Sequence, residues 1–291
     1  MARVVVVHGI GNQYLGPRSL AGGVVPALLD GITAAGGCDA LDSAGVEIAF
    51  YGNLFRAHGV RGDDEPRTAA DITDPGEAQL LYAWWAAAAQ AEPDRVVSPT
   101  APDVRAPTPL TVQRAVNALL RSRSVPGPLA ERFLLGTLRQ VRRYFAEDAV
   151  RRAATDALLE RIMPDTTVVV GHSLGSVVAY EALCAAAPPQ VTCLVTLGSP
   201  LGLPKLIFDR LRPAPVAGTG AWPGGIRHWS NICDRHDVVA SVKRLGPLFD
   251  DDSRHVSDRV VDNGFAVHDL RRHLTAQVTG EAILAGLRDA P

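Results

Sequence analysis

The chain lacks any long hydrophobic run. Its longest apolar segment, LLYAWWAAAA at residues 80–89, is ten residues long, whereas a helix needs about 20 apolar residues to span a membrane. The opening stretch MARVVVVHGIGNQ has four consecutive valines before a polar turn, short of the roughly 7–15 apolar residues in the core of a signal peptide. We therefore predict neither a transmembrane segment nor a secretion signal.

The chain also lacks an excess of one charge and a cysteine spacing typical of disulfides or metal sites. The formal net charge is −2, which gives no reason to expect a nucleic acid or an anionic membrane as partner. Neither a C-x-x-C pair nor a metal-ligand cluster occurs among Cys38, Cys184, Cys193 and Cys233. Their spacing favours buried free thiols in a reducing compartment, and hence a cytoplasmic protein.

Short apolar runs that alternate with helical patterns are abundant. Strands that are apolar throughout and separated by helices indicate a mostly parallel sheet covered on both faces, so we predict an α/β fold. The predicted strands are residues 3–7, 46–51, 167–170, 191–197, 226–232 and 259–261. The predicted helices between and after them are residues 18–35, 174–187 and 269–287.

One long segment interrupts this alternation. Pro, Asp, Ala and Gly dominate residues 53–109, where only residues 76–91 have a helical pattern, and residues 110–163 are helical with a break near 125–128. We predict a mainly helical insertion over residues 53–164. The core domain then consists of residues 1–52 and 165–291.

The charge of this insertion is unevenly distributed. Residues 63–103 hold nine acids and two arginines, whereas residues 105–152 hold ten arginines and three acids. One interpretation is that the two halves neutralise one another or form solvated helix faces. The other is that arginines line the mouth of a site and attract an anionic substrate.

A serine lies between two glycines where a predicted strand meets a helix. Residues 171–175 read Gly-His-Ser-Leu-Gly, a G-x-S-x-G match. So tight a turn strains the backbone of its central residue and is tolerable only where the flanking residues carry no Cβ. The bend lifts the Ser173 hydroxyl clear of the sheet, and the next helix points its N–H groups and positive dipole end at any oxyanion formed there. The motif predicts a nucleophile elbow.

A serine hydroxyl needs a base to take its proton. In folds with this elbow the partners follow in the order Ser…Asp/Glu…His. His268, on a loop before the last predicted helix, is our first choice for the base, and His255 is the alternative. We expect His273 on the helix surface, and His172 to pack or orient rather than act as base.

The acid and the oxyanion donors come from loops at the strand ends. Asp234 and Asp237 both follow the strand at 226–232, where sites in parallel sheets are built. For the oxyanion we expect one backbone donor from Leu174, directly after the serine. The other should come from the glycine-containing loop at 8–11, from Ile10 or alternatively Gly11. An ordinary tight turn is the competing interpretation of that loop.

Three stretches together resemble the bacterial lipase/esterase-like α/β-hydrolases. They are VVVVHGIGNQ at 4–13, GHSLGS at 171–176 and TLGSP at 196–200. The resemblance covers the predicted core and implies an α/β-hydrolase fold in which the insertion forms a cap or lid over the site. It also favours Asp237 as the acid, because Asp-Val-Val-Ala at 237–240 resembles the Asp-x-Val-Pro turn that often follows the acid in this superfamily. Asp234 would then brace the loop.

These features predict a serine hydrolase that cleaves a carboxylic ester, of a lipid or a hydrophobic acyl group, through a Ser-His-Asp triad and an acyl-enzyme. No metal or organic cofactor is needed. An apolar cap lined by Leu80, Leu81, Trp84 and Trp85 would suit such a small-molecule substrate. A thioesterase, lactonase, peptidase or acyltransferase would use the same triad. The remaining alternatives are a non-catalytic binding or regulatory protein on this scaffold, and a hydrolase whose insertion docks a protein partner.

Overall fold

The computed structural model describes residues 2–56, 68–100, 108–123, 130–251 and 253–289. Six strands pair in parallel to form one sheet, in the order β2-β1-β3-β4-β5-β6. The strands are β1 (Val4–Val7), β2 (Val46–Ala49), β3 (Val168–His172), β4 (Cys193–Leu197), β5 (His228–Asp234) and β6 (Val256–Val261).

Helices lie between and after these strands. They are α1 (Pro17–Ala34), α2 (Pro75–Ala91), α3 (Pro109–Leu119), α4 (Ala130–Ala146), α5 (Asp148–Leu159), α6 (Leu174–Ala186), α7 (Gly246–Phe249), α8 (Leu270–Thr275) and α9 (Gln277–Arg288).

Both faces of the sheet are covered, which explains why β1 consists of four valines and β3 begins with three. Successive side chains of a strand point to opposite faces, so the four buried valines of β1 divide between two hydrophobic clusters. Val4 and Val6 pack with α1, α8 and α9, whereas Val5 and Val7 pack in the cluster that contains α5 and α6. The predicted α/β fold with a parallel sheet is confirmed.

The carboxyl-terminal region differs from the prediction in two places. The strand predicted at 259–261 begins earlier, at Val256, and the single helix predicted at 269–287 is divided into α8 and α9. Ala276 between them has an extended backbone, with φ −68° and ψ 131°. The division lets α9 run against α1, where a Cβ on Gly280 would lie only 2.0 Å from the Gly31 carbonyl oxygen.

The described parts of residues 53–164 contribute α2, α3, α4 and α5 and no strand. Ion pairs join the acidic half of this segment to its arginine-rich half: Arg142 lies 2.8 Å from Asp74, and Arg139 lies 3.7 Å from Glu77. These contacts support the interpretation that the two halves neutralise one another. The apolar side chains of the segment join the same cluster as one face of the sheet.

All four cysteines are free thiols, as predicted. Cys193 and Cys233 are buried and Cys184 is half-buried, but Cys38 is exposed, so the prediction of burial is wrong for that residue. Burial raises the pKa of the thiols of Cys184, Cys193 and Cys233 to about 12. Separately, no helix in the described ranges combines the length and apolarity that a bilayer crossing requires.

Candidate active site

Ser173 occupies the sharp bend between β3 and α6. Its backbone has φ 53° and ψ −128°, a conformation that costs a residue with a side chain on the order of 1–3 kcal/mol. Its amide donates to the Leu197 carbonyl at 2.9 Å, which ties the bend to the end of β4. The strain predicted from the G-x-S-x-G motif is present at the predicted residue.

The two glycines of the motif allow the backbone to pack closely around this bend. A Cβ on Gly171 would lie 2.6 Å from the Ser176 Cα, and one on Gly175 would lie 2.4 Å from the carbonyl oxygens of Val7 and His8. Both distances are far inside van der Waals contact. A side chain at either position would therefore push the bend away from α6 or from the end of β1.

Three side chains form a continuous hydrogen-bonded chain at this bend. The Ser173 Oγ lies 2.9 Å from His268 Nε2, and His268 Nδ1 lies 2.6 Å from Asp237 Oδ2. Because an ionised carboxylate can only accept, Nδ1 carries the ring proton and Nε2 is the acceptor for the serine hydroxyl. The geometry therefore suits transfer of the hydroxyl proton to His268.

The Asp237 carboxylate is buried and held on both oxygens. Its Oδ1 accepts from the amides of Val239 at 2.9 Å and Ala240 at 3.4 Å. Burial alone would raise the pKa of Asp237, but the charge and hydrogen bond of His268 outweigh it and hold that pKa below its ordinary value. The Lys243 ammonium secures the loop by donating to the backbone carbonyls of Asp234 at 2.8 Å and Asp237 at 2.5 Å.

Asp234 and His255, the alternative acid and base, make different contacts. Asp234 accepts from the amides of His236 at 2.7 Å and Asn263 at 2.5 Å, so it joins the loop after β5 to the loop after β6. The His255 ring is exposed on the surface, 3.4 Å from Asp250. The structure thus places the carboxylate of Asp237 against an imidazole ring, that of His268, whereas Asp234 accepts from backbone amides.

Sequence reasoning missed the role of Gly198, the glycine of the TLGSP stretch. Its φ is 53°, and a Cβ there would lie 3.0 Å from both Asp237 Oδ2 and His268 Nδ1. The missing side chain leaves room for the His268–Asp237 pair. In the sequence this glycine is noted only as part of the TLGSP stretch that resembles a family, and no role of its own is predicted for it.

Two further histidines surround the site. His172 is buried, and its Nε2 donates to the backbone carbonyl of His268 at 3.0 Å. Burial, and then the charge of His268, hold the pKa of His172 well below its ordinary value, so the ring stays neutral. The expectation that His273 is a surface residue is wrong: it is fully buried, with its ring centroid 6.1 Å from that of His172.

The loop after β1 runs against Ser173, where a Cβ on Gly9 would lie 2.8 Å from the Ser173 Cβ. Asn12 Nδ2 donates to the carbonyls of Gly9 at 2.9 Å and Ile10 at 3.3 Å. The Gly11 amide donates to Gln140 Oε1 at 3.2 Å and is therefore occupied. The amides of Ile10 and Leu174 bond to no other residue in the described part of the chain. Their role as oxyanion donors stays a prediction.

A cavity of about 580 Å³ opens above Ser173 and His268. Ile10 and Gly11 line it beside Ser173, and its apolar walls come both from the insertion and from segments such as 238–239 and 266–267. Of the four apolar residues predicted as walls, Trp84 lines the cavity, whereas Leu80, Leu81 and Trp85 are packed in the core. The insertion residues that line it are Trp84, Leu119, Arg123, Leu134 and Thr137.

No protein-family model matches the chain, and no curated protein is significantly similar to it. The six-stranded parallel sheet flanked by helices is compatible with the α/β-hydrolases. Membership of that family stays a prediction, supported by the three sequence stretches and by the contacts around Ser173.

Proposed function

We propose that the chain is a serine hydrolase of the α/β-hydrolase fold, with residues 53–164 as its cap, that cleaves carboxylic esters of hydrophobic acyl groups or lipids. The observation that carries the proposal is the hydrogen-bonded chain from Asp237 through His268 to Ser173. It ends at a strained bend beside a cavity. Each group stands in the order that acyl transfer requires.

In the proposed reaction, Ser173 Oγ attacks the ester carbonyl while His268 Nε2 accepts the hydroxyl proton. The Asp237 carboxylate keeps the proton on Nδ1 and stabilises the imidazolium. The amides of Ile10 and Leu174 hold the oxyanion. The imidazolium then protonates the departing alcohol, and a water molecule, deprotonated by the same ring, hydrolyses the acyl-enzyme.

The cavity supports a hydrophobic acyl group as substrate. Its volume of about 580 Å³ lies within the roughly 300–1,000 Å³ of small-molecule sites. Leu119, Leu134 and Trp84 supply apolar walls, and Arg123 and Arg271 also line it. Because the same triad serves esters, thioesters and amides, matched substrates that differ only in the leaving group define the bond preference.

A fluorophosphonate probe tests the proposal, because it labels only a serine activated as a nucleophile. We expect the wild-type chain and Ser253→Ala, a change at an exposed serine, to be labelled. Ser173→Ala should remain unlabelled. Labelling is measured by intact-mass spectrometry. A wild-type chain that resists the probe would instead indicate a non-catalytic binding protein on this scaffold.

A further inference from the structure

Two residues of the insertion hold the loop that follows β1. Arg56, near the start of the insertion, donates through its guanidinium to the carbonyls of Gln13 and Leu15, the latter at 3.1 Å. Gln140, on α4, accepts from the Gly11 amide at 3.2 Å. The loop predicted to supply an oxyanion donor is therefore attached at two points to residues outside the core domain.

Gln140 projects from a helix that is itself anchored on two sides. Arg139 and Arg142 of α4 pair with acids in the first turn and at the N-cap of α2. On the other side, the Tyr144 hydroxyl donates to Glu181 of α6 at 2.6 Å. Gln140 is only 6% exposed, so its carbonyl oxygen needs a partner. It finds that partner in the Gly11 amide. Thr137, one turn earlier on α4, lines the cavity above Ser173.

The hydrogen bonds of the loop orient two successive peptide planes. The Gly9 carbonyl accepts from Asn12 and His8, and the amide of the same peptide, that of Ile10, points the opposite way. In the next peptide the Ile10 carbonyl accepts from Asn12, and the Gly11 amide donates to Gln140. Gly11 has φ 82°, and glycine readily adopts other backbone conformations. Gln140 contacts this peptide from outside the loop.

We propose that Gln140 is a positioning residue, which keeps the Ile10 amide directed at the oxyanion by holding the Gly11 amide. This inference rests on the proposed hydrolase function. It makes the insertion a part of the reaction machinery rather than a detachable cover.

The test compares Gln140→Met, which removes the acceptor oxygen at similar size, with Gln140→Glu, which keeps one. Gln79→Met, at an exposed glutamine of α2, is the matched control. We expect Gln140→Met to lower kcat for a short aryl ester, and the rate of fluorophosphonate labelling, by roughly 10- to 100-fold. KM should stay nearly unchanged, because ground-state contacts are kept. Gln79→Met should behave like the wild type. Gln140→Glu should lose less activity than Gln140→Met, because it keeps the acceptor oxygen although it buries a charge. Thermal melts establish that each variant is folded.

Two results would overturn this inference while the proposed function stands. One is a Gln140→Met variant that labels and turns over as fast as Gln79→Met. The other is an equal loss in Gln140→Met and Gln140→Glu, because a loss that ignores the acceptor oxygen indicates packing alone. A wild-type chain that is never labelled at Ser173 would overturn both the inference and the function on which it rests.

Discussion

Lys243 holds the segment that carries Asp237 through contacts that an arginine would not reproduce. Lys243 is one of two lysines beside 27 arginines, and its ammonium lies between two backbone carbonyls of the loop that carries Asp237. A compact ammonium can donate to both, whereas a planar guanidinium presents its donors in a fixed fork. Lys243 therefore holds the segment 234–237 through its backbone carbonyls rather than through its carboxylates.

The two aspartates of that loop should respond differently to substitution. Asp237→Asn removes the charge that orients and stabilises the His268 imidazolium, and we expect kcat to fall by about 10⁴-fold. Asp234→Asn keeps an oxygen for one of its two amide contacts and should cost far less. Steady-state ester hydrolysis measures both. A larger loss in Asp234→Asn than in Asp237→Asn would transfer the role of acid to Asp234.

Helices of the insertion and of the core are joined by a buried charge network. Glu181 of α6 accepts from Tyr144 of α4 at 2.6 Å and from Arg151 Nε of α5 at 2.7 Å. Arg151 also donates to the Arg210 carbonyl at 2.7 Å. Both charged side chains are about 95% buried, so neither can exchange its partner for water. The network fixes α4, and with it Gln140, relative to the core helix that begins at Ser173.

Removing one partner of this network should be costly. Arg151→Met leaves the Glu181 carboxylate buried and uncompensated, and we expect it to lower the free energy of unfolding by about 3–5 kcal/mol. Arg212→Met, which removes the exposed pair with Asp148, should cost far less, because water screens an exposed pair. Urea unfolding followed by circular dichroism compares the two. Equal losses would show that burial of the Arg151–Glu181 pair has no energetic consequence.

At the scale of the whole molecule, the residues of the candidate site lie together at the carboxyl ends of the strands. All six strands run in parallel, so the segments that follow β1, β3, β4, β5 and β6 meet at their carboxyl ends. Those segments carry the glycine-containing loop, Ser173, Gly198, Asp237 and His268 in turn. The same packing buries three histidines that have no place in the proton transfer. They are His8, His172 and His273.

Burial of these rings makes the stability of the whole chain depend on pH. Burial lowers the pKa of His8 and of His273 from 6.5 to about 4. Below about pH 6.5 these two rings bind protons in the unfolded chain but not in the folded chain. The free energy of unfolding therefore falls as the pH drops toward 4. Each ring should contribute a slope of up to about 1.4 kcal/mol per pH unit.

Urea unfolding between pH 4.5 and pH 7.5, a window set by these shifts, measures the slope. His273→Leu should remove the contribution of one ring and flatten the curve. His255→Leu, at an exposed ring, is the control for the substitution itself. A His273→Leu curve parallel to that of the wild type would contradict the burial of that imidazole.

The sequence by itself determined the α/β class, the approximate strand positions and the strained turn at Ser173, because these depend on neighbouring residues and on short periodicities. It did not determine the break at Ala276, the burial of His273 or the contact between Gly11 and Gln140. The last joins residues 129 positions apart. The choice between Asp234 and Asp237 as the partner of His268 likewise depended on where the loops after β5 and β6 meet. Only tertiary packing decides such contacts, since local patterns contain no information about which distant loop will share an edge of the sheet.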